Sequence, residues 1–138
     1  MQLAIVYDSR TGTTKAVAEQ MAEVARDAGH QCLLSPVQGA DPAAVAAADA
    51  ICIGSWTEGL FFFRQHATKA TTDFIGQLTL TGQPALVFCT YKTSPGRMLD
   101  KMAAALQAGG AGATSEFRSR GPSVPGEFAG WLDSLGRA

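Results

Sequence analysis

A cluster of hydroxyl side chains lies between the first apolar segment of the chain and the helical pattern that follows it. Ser9, Thr11, Thr13 and Thr14 surround Gly12 at this strand-to-helix turn. The first N–H groups of a helix are unpaired and the helix dipole is positive there, so they can hold a phosphate without a basic side chain. A simple capped helix start is the alternative, since Ser and Thr are common caps. Four hydroxyls around one glycine exceed what capping requires, and we therefore predict a phosphate-binding loop.

The spacing within this loop separates it from other nucleotide motifs. It has neither the Gly-Lys-Ser/Thr of a Walker loop nor the Gly-x-Gly-x-x-Gly of a dinucleotide site. Ser9-x-Thr11-Gly12-x-Thr14 resembles the Ser/Thr-x-Thr-Gly-x-Thr phosphate motif of flavodoxins, at the same place after the first strand. The resemblance implies that FMN is the cofactor. It would be bound in this loop by Ser9, Arg10, Thr11, Gly12, Thr13 and Thr14.

An aromatic residue follows the third apolar segment. Trp56 lies in the stretch Gly54–Leu60, and an indole can stack on a flat ring with about 0.5–1.5 kcal/mol beyond area burial. The stretch is similar to the flavodoxin loop that carries a flavin-stacking tryptophan, although those loops usually place one or two more residues before it. Packing of Trp56 on residues 61–63 is the alternative. The cofactor-binding residues implied here are Ser55, Trp56, Thr57, Glu58 and Gly59.

A second aromatic residue, Tyr91, follows the fourth apolar segment. Flavodoxins carry a tyrosine in this region that stacks on the other flavin face, which implies cofactor-binding roles for Thr90, Tyr91 and Lys92. A strand-end tyrosine with its hydroxyl in water is the alternative. Flavodoxins usually have an acidic Gly-x-Gly-Asp stretch here, whereas Lys92 and Arg97 make this loop basic. Backbone groups of 55–59 and 90–92 would bind the pyrimidine edge of the ring.

The elements that must position these loops follow from hydrophobic patterning. Short apolar runs predict strands, and apolar spacings of three and four predict helices between them. Alternation of this kind predicts an α/β fold, a flavodoxin-like doubly wound five-stranded parallel sheet of order 2-1-3-4-5 with helices on both faces. Its ligand crevice lies at the carboxyl ends of strands 1 and 3. The predicted strands are 3–7, 31–34, 50–53, 85–89 and 113–117, and the predicted helices are 13–28, 42–48, 65–75, 95–108 and 125–135.

Composition limits the class of protein. The chain has 138 residues, which predicts a single domain over 1–138, and its net charge of -1 argues against nucleic-acid binding. Three scattered cysteines without a CxxC pair predict neither a disulfide scaffold nor a metal site, and Cys52 and Cys89 are predicted as buried, inert thiols. Neither a secretory signal nor an apolar run near 18 residues is evident, which predicts a soluble, cytoplasmic protein without membrane insertion.

The resemblance implies a monomeric electron carrier that works between redox partner proteins, a reductase and an electron acceptor. Two alternatives remain: an FMN-dependent oxidoreductase acting on a quinone or another small substrate, with or without NAD(P)H, and a flavin-free interaction module. The near-neutral charge is unusual beside the acidic carriers, and Arg10, Arg64 and Lys92 fall in or near the ligand loops. Arg118 and Arg120 are predicted to form a solvated edge.

Overall fold

A computed structural model describes residues 1–10, 12–60, 63–91, 97–120 and 123–135. Its central sheet has five parallel strands in the order β2-β1-β3-β6-β7, which confirms the predicted strand order when the parallel strands alone are counted. These strands are β1 (Gln2–Asp8), β2 (Gln31–Pro36), β3 (Ala50–Trp56), β6 (Ala85–Thr90) and β7 (Thr114–Ser119).

The described residues form five α-helices; four of them connect strands and the fifth follows β7. The boundaries of the first helix follow its sequence signals. Gly29 has a φ of 96°, a left-handed conformation that suits glycine and ends the first helix. Asp41 caps the second helix, where its side chain accepts a hydrogen bond from the N–H of Ala43. The helices are α1 (Thr13–Asp27), α2 (Pro42–Ala46), α3 (Lys69–Gly76), α4 (Met98–Ala108) and α5 (Gly126–Leu135).

A short antiparallel hairpin follows β3 and was not predicted. It consists of β4 (Glu58–Leu60) and β5 (Phe63–His66). The predicted helix over 65–75 therefore begins too early, because residues 65 and 66 belong to β5. Thr68 sets the true start of α3, where its side chain accepts a hydrogen bond from the N–H of Thr71.

Two apolar layers cover the two faces of the central sheet. Along β1, Leu3 and Ile5 pack with residues of α1 and α5, whereas Ala4 and Val6 pack with residues of α3 and α4. This alternation is the period-two pattern of a strand buried on both faces. The layers hold β1, β3 and β6 rigidly side by side, so the residues at their carboxyl ends are fixed relative to one another.

Candidate functional site

The carboxyl ends of three neighbouring strands bring the predicted site segments together. Asp8 at the end of β1 pairs with Ser55 in β3, and Trp56 at the end of β3 pairs with Thr90 at the end of β6. Residues 54–56, predicted as loop, lie within β3. They can remain in the sheet because Gly54 has no side chain, and the Phe88 ring lies where a Cβ would project.

The amino end of α1 is open for an anion. Gly12 precedes α1 with a φ of 93°, and no side chain caps this end of the helix. A Cβ placed on Gly12 would meet no atom within 4 Å, so a ligand can approach the backbone closely. The first turn contains no acidic residue, and Ser9 Oγ accepts a hydrogen bond from the Gly12 N–H at 3.1 Å. This arrangement fits a phosphate, which favours unpaired N–H donors and a positive helix end.

The hydroxyl of Thr14 has a structural partner. Thr14 is buried, and its Oγ1 lies 2.7 Å from Oγ1 of Thr90. This contact joins the first turn of α1 to the end of β6. Two predicted site segments that are 76 positions apart in the sequence are therefore held together by one hydrogen bond.

Thr57 continues this connection toward the hairpin. Its backbone N–H and its hydroxyl both donate to the carbonyl oxygen of Thr90, each at 3.0 Å. The same hydroxyl lies 3.2 Å from Sδ of Met98, at the start of α4. Thr57 thus fixes where the chain leaves β3, directly after Trp56.

Both predicted aromatic residues are partly exposed, and the guanidinium group of an arginine lies over each ring. The guanidinium carbon of Arg10 lies 5.4 Å from the centroid of the Trp56 ring, and that of Arg120 lies 5.5 Å from the centroid of the Tyr91 ring. These are cation–π distances. Arg120 is exposed after the edge strand β7, as predicted, and its guanidinium group also lies on an aromatic residue of the predicted site. Arg118 does lie at the edge, 4.0 Å from Glu116.

A buried polar cluster beneath the site was not predicted. Asp8 is 8% exposed, and its carboxylate accepts hydrogen bonds from Gln38 Nε2 at 3.1 Å and from Thr68 Oγ1 at 2.5 Å. Because the single Thr68 hydroxyl proton goes to Asp8, the Thr71 hydroxyl at 2.8 Å must donate to Thr68. Ser55 Oγ accepts from the Thr68 N–H at 3.2 Å and donates to the Trp56 carbonyl. The available sequence signal was an acid directly after an apolar strand.

The cysteines behave as the sequence indicates. Cys52 and Cys89 are fully buried with free thiols. Burial raises the pKa of Cys89 to about 12, although Arg118 and a hydrogen bond with Thr57 act in the opposite direction. Burial also raises the pKa of Cys52 well above its ordinary value. Within the described ranges, no group of three or more potential metal ligands occurs.

Several predicted site residues cannot be placed. Thr11 and Lys92 lie outside the described residues, and Glu58 and Gly59 are described only as part of the β4 backbone.

In the part of the chain that the structure describes, no helix is both long and apolar enough to cross a membrane.

Comparisons with known proteins agree with this architecture. The two-electron reduced flavodoxin of Megasphaera elsdenii has a TM-score of 0.82 and 21% identity, with 99% of each chain covered. A Streptococcus pneumonia TIGR4 flavodoxin has a TM-score of 0.75 and 21% identity over 99% of this chain and 96% of that one. The flavodiiron protein of Giardia intestinalis matches with a TM-score of 0.65 and 23% identity over 98% of this chain but 34% of that chain. No curated protein matches the sequence significantly.

The family model described as a flavodoxin domain matches residues 4–111. The matched region contains most of β1, all of β3 and β6, the amino end of α1, and both site aromatics. It therefore covers every segment that the sequence predicted to contact the cofactor. This chain belongs to the flavodoxin domain family, and its cofactor is FMN.

Proposed function

We propose that this FMN-binding electron-transfer protein shuttles electrons between a reductase and an electron acceptor, both of them proteins. The observation that carries the proposal is the uncapped amino end of α1 beside Trp56 and Tyr91, at one edge of the sheet. A phosphate site and flat aromatic surfaces at that edge suit a phosphorylated flavin.

The phosphate would be held mainly by backbone groups. The N–H groups of the first α1 turn point out of the helix start, and Gly12 permits close approach. Among the predicted phosphate residues, Ser9 and Thr13 are partly exposed, so both can reach a bound anion. Arg10 is exposed with its guanidinium group on the Trp56 ring, where it would add positive charge near the anion without contacting it. Thr14 has a different role in this proposal: it fixes the helix start against Thr90.

The flavin ring would lie between the carboxyl ends of β3 and β6. Trp56 and Tyr91 would contact its faces, and backbone groups of 55–59 and 90–92 would bind its polar edge. Arg10 covers one face of the indole, which leaves the opposite face for the ring. When bound, FMN supplies the electron-transfer chemistry, and the protein tunes its potential through contacts of this kind.

We also infer a single-domain, monomeric protein of the cytoplasm. The central sheet uses strands from Gln2 to Ser119, so one sheet with an apolar layer on each face accounts for nearly the whole chain. The three cysteines have free thiols, as is usual in a reducing compartment. Size-exclusion chromatography with light scattering tests the monomer, and a mass corresponding to a dimer would contradict it.

The alternative is an FMN-dependent oxidoreductase for a quinone or another small substrate, with or without NAD(P)H. The exposed guanidinium groups of Arg10 and Arg120 favour it, because they would attract an anionic small molecule to the flavin edge.

Two measurements test the proposal. The purified protein should show the visible absorbance of oxidised flavin, and the extracted cofactor should elute with FMN in chromatography. Anaerobic stopped-flow mixing then separates the alternatives. A carrier reacts slowly with NAD(P)H and quinone but passes electrons to a protein acceptor, whereas rapid multiple turnovers with NAD(P)H and quinone would support the enzyme. A protein that neither contains nor binds FMN would overturn both.

A further inference from the structure

Two arginine–aromatic pairs lie at the same edge of the sheet. Arg10 follows β1 and covers Trp56 at the end of β3, and Arg120 follows β7 and covers Tyr91, just after β6. From the strand order, β1 and β7 are three strand spacings apart, or about 14 Å. That spacing separates the backbones of the two arginines, whereas their guanidinium groups lie over Trp56 and Tyr91, at the ends of the neighbouring strands β3 and β6.

Both guanidinium groups remain available for another molecule. Arg10 and Arg120 are exposed, and neither forms an ion pair with a carboxylate among the described residues. Lys69 and Arg97, at the same edge, are by contrast paired with Asp73 and Asp100. An arginine that rests on an aromatic ring is held in position while its planar N–H fork can still bind a carboxylate bidentately.

The opposite edge of the molecule has the opposite charge. Asp27 ends α1, Asp49 accepts a hydrogen bond from the Gln2 N–H beside the start of β1, and Asp133 lies near the end of α5. Arg26, in the last turn of α1, is a described basic residue at this opposite edge. The far edge thus holds Asp27, Asp49 and Asp133 beside Arg26, whereas Arg10 and Arg120 at the site edge have no carboxylate partner among the described residues. Such an asymmetry orients an approaching charged partner.

The described carboxylates at the site edge form no ion pair with Arg10 or Arg120. Asp8 is buried and bonded to Gln38 and Thr68. Asp41 caps α2, and Glu127 lies in the first turn of α5. Neither Asp41 nor Glu127 forms an ion pair with an arginine among the described residues.

We propose that Arg10 and Arg120, held on Trp56 and Tyr91, form a docking surface for an acidic redox protein. Each guanidinium group rests on its own ring and offers its own pair of N–H donors, so a protein surface with several carboxylates can engage both groups at once. The surface surrounds the predicted flavin edge, so a docked partner would lie next to the flavin. This inference rests on the proposed carrier function and names the chemistry of its partner.

The test uses one haem protein in two charge states. Native cytochrome c is basic, and the same protein with succinylated lysines is acidic. The reduced FMN-loaded chain is mixed anaerobically with each form over a range of NaCl concentrations. Each transfer oxidises the flavin by one electron and reduces one haem iron from Fe(III) to Fe(II). We expect the rate with the succinylated form to fall at least about tenfold as salt rises, and the rate with the native form to stay level or increase.

Charge variants locate the effect. Arg120→Gln should lower the low-salt rate with succinylated cytochrome c several-fold and flatten its salt dependence. Arg26→Gln removes the same charge from the opposite edge and should leave both nearly unchanged. Equal effects of the two variants, or a rate with the native form that falls with salt, would overturn the proposal.

A binding measurement separates this proposal from the proposed function. Isothermal titration of the flavin-free chain with both forms of cytochrome c reports docking without electron transfer. Salt-sensitive binding of the succinylated form alone would support the docking surface even if the chain carried no flavin. Binding of neither form at low salt would overturn it even if FMN were bound.

Discussion

Gly54 shows how the absence of one side chain allows the strand that carries Trp56 to stay in the sheet. A Cβ built on Gly54 would lie 2.1 Å from two carbons of the Phe88 ring, which is fully buried. The ring cannot withdraw easily, because it also stacks on Phe117 at a centroid distance of 5.3 Å. Gly54 is therefore required by close packing at this point of the sheet.

We predict that Gly54→Ala destabilises the fold by about 1–3 kcal/mol or more, the usual cost of overpacking a dense core. Urea unfolding followed by circular dichroism measures the change. Gly130→Ala is the matched control, because a Cβ there meets no atom within 4 Å and the residue lies within α5. It should be neutral or stabilising by up to about 1 kcal/mol. Equal midpoints for both variants would contradict this explanation.

The cysteines differ in their access to reagents. Cys32 is partly exposed, whereas Cys52 and Cys89 are fully buried. Burial raises the pKa of all three thiols and so reduces the reactive thiolate, but complete burial also keeps reagents away from Cys52 and Cys89. We predict that Ellman's reagent modifies one thiol of the folded protein at neutral pH and all three after unfolding. Cys32→Ser should abolish the reaction of the folded state; fast modification of two or three thiols would contradict the prediction.

The raised pKa of Cys89 also predicts a pH dependence. The thiol titrates at about 12 in the folded protein and near 9.0 when unfolded, so the unfolded state loses its proton first. The contribution of Cys89 to stability is therefore complete below pH 9.0 and decreases as pH rises toward about 12, by up to about 1.4 kcal/mol per unit. The difference in unfolding free energy between the wild type and Cys89→Ala should shrink over this range. A constant difference would show that Cys89 ionises equally in both states.

At the scale of elements, Asp8 joins the end of β1 to the start of α3. Its carboxylate accepts from Thr68, which caps α3, and from Gln38, which follows β2. The Thr68 N–H in turn donates to Ser55 in β3. The hairpin β4–β5 leaves β3 and returns at this point, so the cluster fixes both ends of a segment that borders the predicted flavin edge.

We predict a coupling free energy of at least about 1 kcal/mol between Asp8→Asn and Thr68→Val, since hydrogen bonds to charged groups contribute roughly 1.5–3 kcal/mol. A double-mutant cycle of urea unfolding measures it. Thr72→Val is the control, because the Thr72 hydroxyl donates to the carbonyl of Thr68 and forms no other bond within the described ranges. It should combine additively with Asp8→Asn within about 0.5 kcal/mol. Additivity in both cycles would mean that the carboxylate does not stabilise the cap.

The central sheet and the start of α1 after Gly12 could be predicted because their signals are local. Strands buried on both faces read as continuous apolar runs, and Gly29 marks the end of α1 in the sequence itself. The hairpin was missed because a helical pattern and a short aromatic strand overlap near residue 65. The Asp8 cluster and the Arg120–Tyr91 pair could not be predicted, because their partners are distant in the sequence and meet only through the strand order.

At the scale of the whole molecule, the strand order determines which charged residues lie at which edge, and the net charge alone does not give this distribution. Helices that follow parallel strands start at one edge and end at the other, so residues of α1 such as Lys15 and Asp27 are carried to opposite edges. The same rule places the positive end of the α1 dipole at the site edge, beside Arg10. The phosphate of the cofactor and an acidic partner protein would therefore be attracted to the same edge of the sheet.

Cofactor binding should stabilise the whole fold, and its phosphate dependence tests the helix start. A ligand whose concentration is 100 times its dissociation constant adds about 2.7 kcal/mol to the free energy of unfolding. We predict that FMN raises the thermal midpoint clearly more than riboflavin, which has the same ring but no phosphate.

Thr13→Glu places a carboxylate in the first turn of α1, where the dipole favours it by about 0.3–1 kcal/mol, so the flavin-free fold should not be weakened. That charge should nevertheless repel the phosphate and remove most of the advantage of FMN over riboflavin, whereas the neutral Thr13→Gln should retain it. If Thr13→Glu kept the full difference between the two flavins, the phosphate would not lie at the start of α1.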